Sequence, residues 1–144
     1  METGVISTYT DAQAVEDGEL VAVTPKDRAT TALYEFLVDN LGETPPAGWP
    51  VELMGWCTIR KDDEEPGLRR ALAAVRGLID VHRHQATRIY EENIDGGIWA
   101  GYIQQGAGDI ITGFDTSDGP SGDRKVWMLP NEQGGLTLMF PEDY

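Results

Sequence analysis

Basic residues are scarce in this chain: 11 Lys and Arg stand against 25 Asp and Glu, which leaves a net charge of -14 on 144 residues. A protein with this balance is a poor partner for DNA, for RNA and for anionic membrane surfaces. We therefore expect no direct binding to nucleic acid and none to a membrane. Basic surfaces of other proteins are the partners that such a charge favours.

Cysteine and long apolar runs are also nearly missing. The single cysteine, Cys57, excludes an internal disulfide, so nothing points to an oxidising compartment. No apolar run approaches the roughly 18 residues that a membrane-spanning helix needs. The opening METGVISTYTDAQ lacks a basic stretch followed by an apolar one, so we expect no secretory signal. The expected protein is soluble and cytoplasmic.

Apolar residues, in contrast, are plentiful enough for a folded core. They make up 40% of the sequence and include four Trp and five Tyr, which is too apolar a composition for a disordered acidic tail. At 144 residues the chain has the size of one domain. The sequence therefore predicts a single domain over residues 1–144.

The charge is spread along the chain. Residues 1–65 carry 14 acids and four bases, residues 66–88 carry one acid and five bases, and residues 89–144 carry ten acids and two bases. The acids are thus not confined to a detachable tail, and a basic segment separates the two acidic ones. A dispersed acidic surface on a folded body is the expected result.

The first half of the chain mixes helix and strand signals. Residues 10–17 predict a short helix ended by the following glycine, and residues 19–23 predict a strand. A Thr-Pro pair predicts the start of a second helix over residues 24–42. Its apolar residues at helical spacing are Ala29, Leu33, Phe36, Leu37 and Leu41. After a Pro-rich connection, residues 51–59 predict a strand.

The second half begins with a helix and continues with strands. Apolar residues from Leu68 to Ile79 recur at i, i+4, i+7 and i+11, which predicts a basic helix over residues 68–88. From residue 86 onward, short runs broken by glycine predict antiparallel strands: ATRIYEEN, GIWAGYIQ, DIITGF, KVWML and LTLMF. Hairpin connections are predicted at residues 95–97 and 131–135. The expected fold is α+β, with an antiparallel sheet of about five to six strands and two to three helices packed on one face.

The acidic residues carry more information as a set than any one of them does alone. A DNA duplex carries one negative charge per roughly 1.7 Å of its axis, and proteins that hold it present Lys and Arg grooves. Rows of carboxylates on this chain can imitate that array, and an aromatic residue in the Pro-rich connection would anchor the interface. The predicted partner-binding residues are Trp49, Asp62, Asp63, Glu64, Glu65, Asp109, Asp115, Asp118 and Asp123.

Two other classes of function stay open. One is a small enzyme or ligand-binding domain whose pocket uses Cys57 with His82 or His84 as its polar groups. The other is a structural or regulatory subunit that is acidic for solubility. No residue pattern matches a phosphate-binding loop or a zinc site, so we expect no metal, no cofactor and no catalytic residue.

Both ends of the chain resemble a family of small, uncharacterised domains carried on bacterial plasmids, phages and actinobacterial mobile elements. The likeness lies in YTDAQAVEDGELVAVTP (residues 9–25), in the closing LTLMFPEDY and, more loosely, in the central GLRRALAAVRGL. The segment over residues 96–124 departs from the family pattern. The resemblance brings no catalytic residue; it implies accessory genes that let mobile DNA survive in a bacterial host.

Charge and resemblance together predict an accessory protein of a phage or plasmid. It is expected to bind a host nucleic-acid-binding defence complex through a basic groove and to inhibit it, as an anti-CRISPR or anti-restriction protein that mimics nucleic acid. Such a protein is not an enzyme, and it acts in the cytoplasm of the bacterial host cell.

Overall fold

The fold is that of a computed structural model, which describes residues 11–50, 55–56, 59–60, 62–106, 110–116 and 124–144. Three helices and six strands lie within these residues. In chain order they are α1 (Asp11–Glu16), β1 (Leu20–Ala22), β2 (Arg28–Thr30), α2 (Thr31–Asn40), α3 (Pro66–Glu91), β3 (Trp99–Gln105), β4 (Ile111–Asp115), β5 (Arg124–Pro130) and β6 (Leu136–Met139). Short 3₁₀ turns are formed by Ile94–Gly97 and Pro141–Asp143.

The strands form one sheet in the order β1-β2-β6-β5-β3-β4. Four of the five neighbouring pairs are antiparallel. The exception is the parallel pair of β2 and β6, in which Arg28 lies opposite Thr137 and Ala29 opposite Leu138. The α+β class and the number of strands confirm the prediction from sequence, and the parallel pair makes the sheet mixed.

The long helix α3 covers the middle of the sheet. Its 26 residues contain a buried apolar stripe that includes Ala71, Val75 and Leu78, and this stripe packs on β5, β3 and β6. Pro66 at its first turn fits the helix start because that position needs no backbone donor. Packing of this face, rather than helix propensity, supplies most of the stability of the helix.

The shorter helix α2 lies beside α3 and contacts β2 and β6. Leu33 and Leu37 are its buried residues, as their helical spacing predicts. The residues of strand β3 alternate in burial. Trp99, Gly101 and Ile103 are buried, while the residues between them are half-buried. The main core therefore lies between the two helices and one face of the sheet.

An ion pair between a buried carboxylate and a partly exposed arginine ties α3 to the sheet. Asp27 is 2% exposed, and Arg83 of α3 donates hydrogen bonds of 3.0 and 2.6 Å to its two carboxylate oxygens. The amide of Leu136 in β6 donates to the same carboxylate at 3.1 Å. Burial alone would raise the pKa of the Asp27 carboxyl, but these hydrogen bonds lower it below its ordinary value. Asp27 is therefore held as a carboxylate.

The helix predicted over residues 24–42 begins later than expected. The Oγ1 of Thr24 accepts a hydrogen bond from the amide of Asp27 at 2.9 Å, which closes a turn instead of starting the helix. Residues Arg28–Thr30 then pair with two strands as β2. Only at Thr31 does α2 begin, so the prediction of a helix start at Thr24 and Pro25 was wrong.

The strand predicted from residue 86 was also wrong, because α3 continues to Glu91. Ala86 is buried and Ile89 packs against the core, so the apolar stripe of the helix extends through this segment. The hairpin predicted at residues 95–97 is a 3₁₀ turn that leads into β3. The hairpin at residues 131–135 is confirmed, since it joins the antiparallel strands β5 and β6.

The predicted strand over residues 51–59 lies largely outside the described residues. Its described members Gly55 and Trp56 form a turn, and the indole N–H of Trp56 donates to the carbonyl oxygen of Glu43 at 3.0 Å. In the part of the chain that the structure describes, no helix has both the length and the apolar composition for crossing a bilayer.

Candidate functional site

The acidic turn of Asp62, Asp63, Glu64 and Glu65 comes directly before α3. Asp63 accepts a hydrogen bond from the amide of Arg60 at 2.9 Å, and the guanidinium of Arg69 donates to the carbonyl oxygen of Glu64 at 2.9 Å. Glu65 has a left-handed backbone, with φ of 49°. The turn therefore has a defined shape, and negative charge beside a helix N-terminus is favourable.

This turn lies against α2. Burial raises the pKa of the Tyr34 hydroxyl, and the nearby Glu65 carboxylate raises it further. Helices α2 and α3 pack against each other, and Val38 of α2 packs against the core between them. Glu65 and the outer surface of α2 thus belong to one region of the molecule.

A groove opens between β1, α2 and the start of α3. Its volume is about 550 Å³. The lining residues are Gly18, Leu20, Val21, Thr31, Tyr34, Glu35, Val38, Asp39 and Leu68. We call this the β1–α2 groove. Its lining is apolar except for the Thr31 and Tyr34 hydroxyls and two carboxylates.

Both carboxylates of the β1–α2 groove are on α2. Glu35 and Asp39 are exposed and stand four residues apart, which places them on the same side of the helix. None of the nine lining residues is basic. Among the described residues, neither carboxylate has an ion-pair partner. The groove therefore combines an apolar surface with uncompensated negative charge.

Of the nine predicted partner-binding residues, Glu65 lies beside this groove, where its carboxylate raises the pKa of the Tyr34 hydroxyl, while Asp63 lines a separate pocket with Arg69 and Arg76. Asp115 lies elsewhere, half-buried at the end of β4 and opposite Tyr102 of β3. Its neighbour Phe114 contacts His82, which is about 24 Å along α3 from Pro66 at 1.5 Å per residue. Asp109, Asp118 and Asp123 lie outside the described residues.

Trp49 does not offer the exposed aromatic surface that its position predicts. It is 5% exposed and packs edge-on against Phe114 with ring centroids 5.7 Å apart. The Pro-rich connection is held on β4 because the amide of Phe114 donates to the carbonyl oxygen of Ala47 at 3.0 Å. Apolar packing on β4 has buried the ring, so Trp49 belongs to the core.

The alternative pocket of Cys57 with His82 or His84 gains no support from these contacts. Cys57 lies outside the described residues. His82 packs on the ring of Trp99 at 4.8 Å and near that of Phe114 at 5.8 Å, and burial lowers its pKa. His84 is exposed. In the described part of the chain, no group of three or more metal-ligating side chains can hold a metal ion.

Comparison with known proteins yields no relative: no protein-family model, no curated protein and no solved structure matches this chain. The resemblance of residues 9–25 and of the closing residues to mobile-element domains thus stays a prediction.

Sequence reasoning missed Glu35 and Asp39. Their signal was present, because two acids at i and i+4 lie opposite the buried Leu33 and Leu37. The apolar side chains that share the groove with them come from β1 and α3, which are distant in sequence. Only the packed fold brings the three segments together.

Proposed function

We propose that this protein binds a basic surface of a nucleic-acid-handling protein of the bacterial host and keeps nucleic acid from that surface. The observation that carries the proposal is the excess of exposed acids that the fold does not neutralise. The net charge is -14, and the acids of the 62–65 turn form no ion pair within the described residues. A groove built to hold nucleic acid attracts such a surface.

Internal pairing of basic residues leaves this excess in place, because each pair takes up one acid for each base. Arg83 pairs with Asp27 at 2.6 Å, and Arg124 pairs with Glu142 at 3.0 Å. A further pair joins Arg88 of the basic helix to the nearby Glu92 at 3.1 Å. These three guanidinium groups already have carboxylate partners, and the acids outside these pairs carry the excess of negative charge.

The likeness to mobile-element domains directs the proposal toward host defence. A restriction enzyme or a CRISPR effector must hold DNA or RNA in a Lys- and Arg-rich channel, and an acidic protein seated in that channel would exclude the substrate. The protein would then act as an anti-restriction or anti-CRISPR inhibitor. Its place of action would be the cytoplasm of the bacterial host.

Electrostatic attraction should govern the speed of this association. Complementary charge raises association rates by a factor of about 10 to 10³, and the gain falls with ionic strength. The Debye length shortens from about 10 Å at 0.1 M salt to about 3 Å at 1 M. We therefore expect binding to weaken steeply between these concentrations.

The experiment that tests the proposal has two stages. The immobilised protein is exposed to a bacterial lysate, partners are eluted with rising salt, and a nuclease or defence complex released at moderate salt is purified. That complex is then assayed for nucleic acid cleavage with and without this protein. A complex that cleaves its substrate equally well in both cases contradicts the proposal.

A variant with Asp62→Asn, Asp63→Asn, Glu64→Gln and Glu65→Gln examines the part played by the turn. It should bind the purified complex about tenfold or more weakly at 0.1 M salt, because four charges of one surface are lost, and it should remain folded. A charge control replaces Glu91, Glu92, Glu132 and Glu142 with Gln. It changes the net charge equally at other surfaces and also removes the ion pairs of Glu92 and Glu142, so its folding is checked alongside. Equal losses in both variants would show that overall charge, and not the turn, attracts the partner.

A further inference from the structure

Contacts within the protein fix the shape of the β1–α2 groove without a ligand. The amide of Thr31, at the start of α2, donates to the carbonyl oxygen of Glu19 at 3.0 Å. The hydroxyl of the same threonine donates to the carbonyl oxygen of Gly18. On the other side, α3 packs against α2. These contacts hold all three walls of the groove, so a ligand need not order them.

The size of the groove suits a short stretch of polypeptide. A volume of about 550 Å³ lies within the range of roughly 300–1,000 Å³ that ligand sites occupy. An amphipathic helix docks such a groove with a few apolar side chains spaced at i, i+3 or i+4, and i+7. Leu20, Val21, Val38 and Leu68 offer the apolar contacts.

The charge of the groove selects the ligand. Glu35 and Asp39 stand exposed beside the apolar residues, and Glu65 lies close enough to Tyr34 to raise the pKa of its hydroxyl. A phosphate or another acidic group would be repelled by these carboxylates. A purely apolar segment would leave them unpaired. A segment that alternates apolar side chains with Lys or Arg satisfies both parts of the surface.

We propose that the β1–α2 groove is the docking site for an amphipathic, Lys- and Arg-rich segment of the partner protein. The inference rests on the proposed function and deepens it by naming the place of contact and the chemistry of the partner. The apolar side chains of that segment lie on Leu20, Val38 and Leu68, while its cations pair with Glu35 and Asp39. Glu65, which lies near Tyr34, adds to the attraction beside the groove.

A defined peptide pair tests this directly. The probe is a 14-residue amphipathic helix with Leu at i, i+3, i+7 and i+10 and Lys beside them, and its match carries Glu in place of each Lys. Binding to the full-length protein is followed by fluorescence anisotropy and by shifts of backbone amide signals at 0.05 M salt. The Lys peptide should bind at least tenfold more tightly, with the largest shifts at residues 18–21 and 34–39.

Variants then locate the contact. The double variant Glu35→Gln with Asp39→Asn should weaken the Lys peptide about five- to tenfold, since two surface carboxylates are lost. The control Glu91→Gln with Glu92→Gln removes the same charge at the other end of α3, about 35 Å along that helix from Leu68, and it should bind like the original chain. Leu20→Gln tests the apolar contact and should also weaken binding.

Other results overturn the inference. Equal binding of the Lys and Glu peptides, or amide shifts centred away from the groove, would show that the groove does not select a basic segment. A dimer in sedimentation that Glu35→Gln with Asp39→Asn abolishes would make a second copy of this chain the occupant. Binding of spermidine with no binding of the peptide would make a small cation the ligand.

The test separates this inference from the proposed function. A peptide held in the groove by a protein that blocks no nucleic-acid-handling complex upholds the groove and refutes the function. A protein that blocks such a complex equally well with and without Glu35 and Asp39 upholds the function and refutes the groove.

Discussion

Asp27 and the pair of Glu35 and Asp39 are carboxylates with opposite surroundings. Asp27 is buried, and Arg83, Thr24 and the amide of Leu136 all donate hydrogen bonds to it. Glu35 and Asp39 are exposed and have no ion-pair partner within the described residues. The comparison teaches that in this acidic chain one carboxylate stabilises the fold, while others remain available for a partner.

The largest effect on stability should come from removing the charge of the buried carboxylate, Asp27. Asp27→Asn removes a charge that holds Arg83 to the sheet, and we expect a loss of about 2–4 kcal/mol in the free energy of unfolding. Urea unfolding followed by tryptophan fluorescence measures it. The matched control is Asp80→Asn, which removes the exposed carboxylate on the same arginine and should cost at most about 1 kcal/mol. Equal losses would contradict a special role for the buried carboxylate.

The contribution of the Asp27–Arg83 pair to the free energy of unfolding should also depend on pH. The folded-state pKa of Asp27 is lowered, so its stabilising contribution is complete above the unfolded-state pKa of about 3.9 and is lost as the pH falls through the folded-state value. The difference in unfolding free energy between the original chain and Asp27→Asn should therefore shrink as the pH falls below about 4. A difference that stays constant from pH 6 to pH 2 would disprove this linkage.

A smaller effect is expected from His82, whose ring packs against the rings of Trp99 and Phe114. Burial lowers the pKa of the folded-state imidazole. Below the unfolded-state pKa of about 6.5, the unfolded chain therefore binds a proton more readily than the folded chain does. The free energy of unfolding should fall as the pH drops from 7 toward the folded-state pKa and then level off. In His82→Gln this decrease should be reduced. His84→Gln, which removes an exposed imidazole from the same helix, should retain it.

The smallest effect on stability should come from the exposed side of the comparison. Glu35→Gln with Asp39→Asn should change the free energy of unfolding by no more than about 0.5 kcal/mol, and relief of repulsion at i and i+4 favours a slight gain. The urea titration used for Asp27→Asn measures it. A large loss would assign these acids to folding and would remove the basis for a docking role.

The sequence predicted α3 because its apolar stripe is local, and it predicted β3 to β6 because short alternating runs are bounded by turn residues. The prediction was wrong where contacts between segments distant in sequence determine the secondary structure. Thr24 and Pro25 form a good helix start by themselves, yet Arg28–Thr30 becomes a strand because β6, far along the chain, pairs with it. Residues 86–91 contain Thr, Ile and Tyr, which favour strands, but their packing on the core keeps them helical.

In the candidate site, too, some features follow from the local sequence and others only from contacts between distant segments. The sequence alone determined that the protein is acidic and that a charged turn precedes a basic helix, because charge and local pattern do not depend on the fold. The groove depends on contacts between segments about 10 to 50 residues apart, from β1, α2 and α3. The tertiary structure alone decided that Glu35 and Asp39 share an apolar groove, and that Trp49 belongs to the core, because burial and proximity arise only when distant segments pack together.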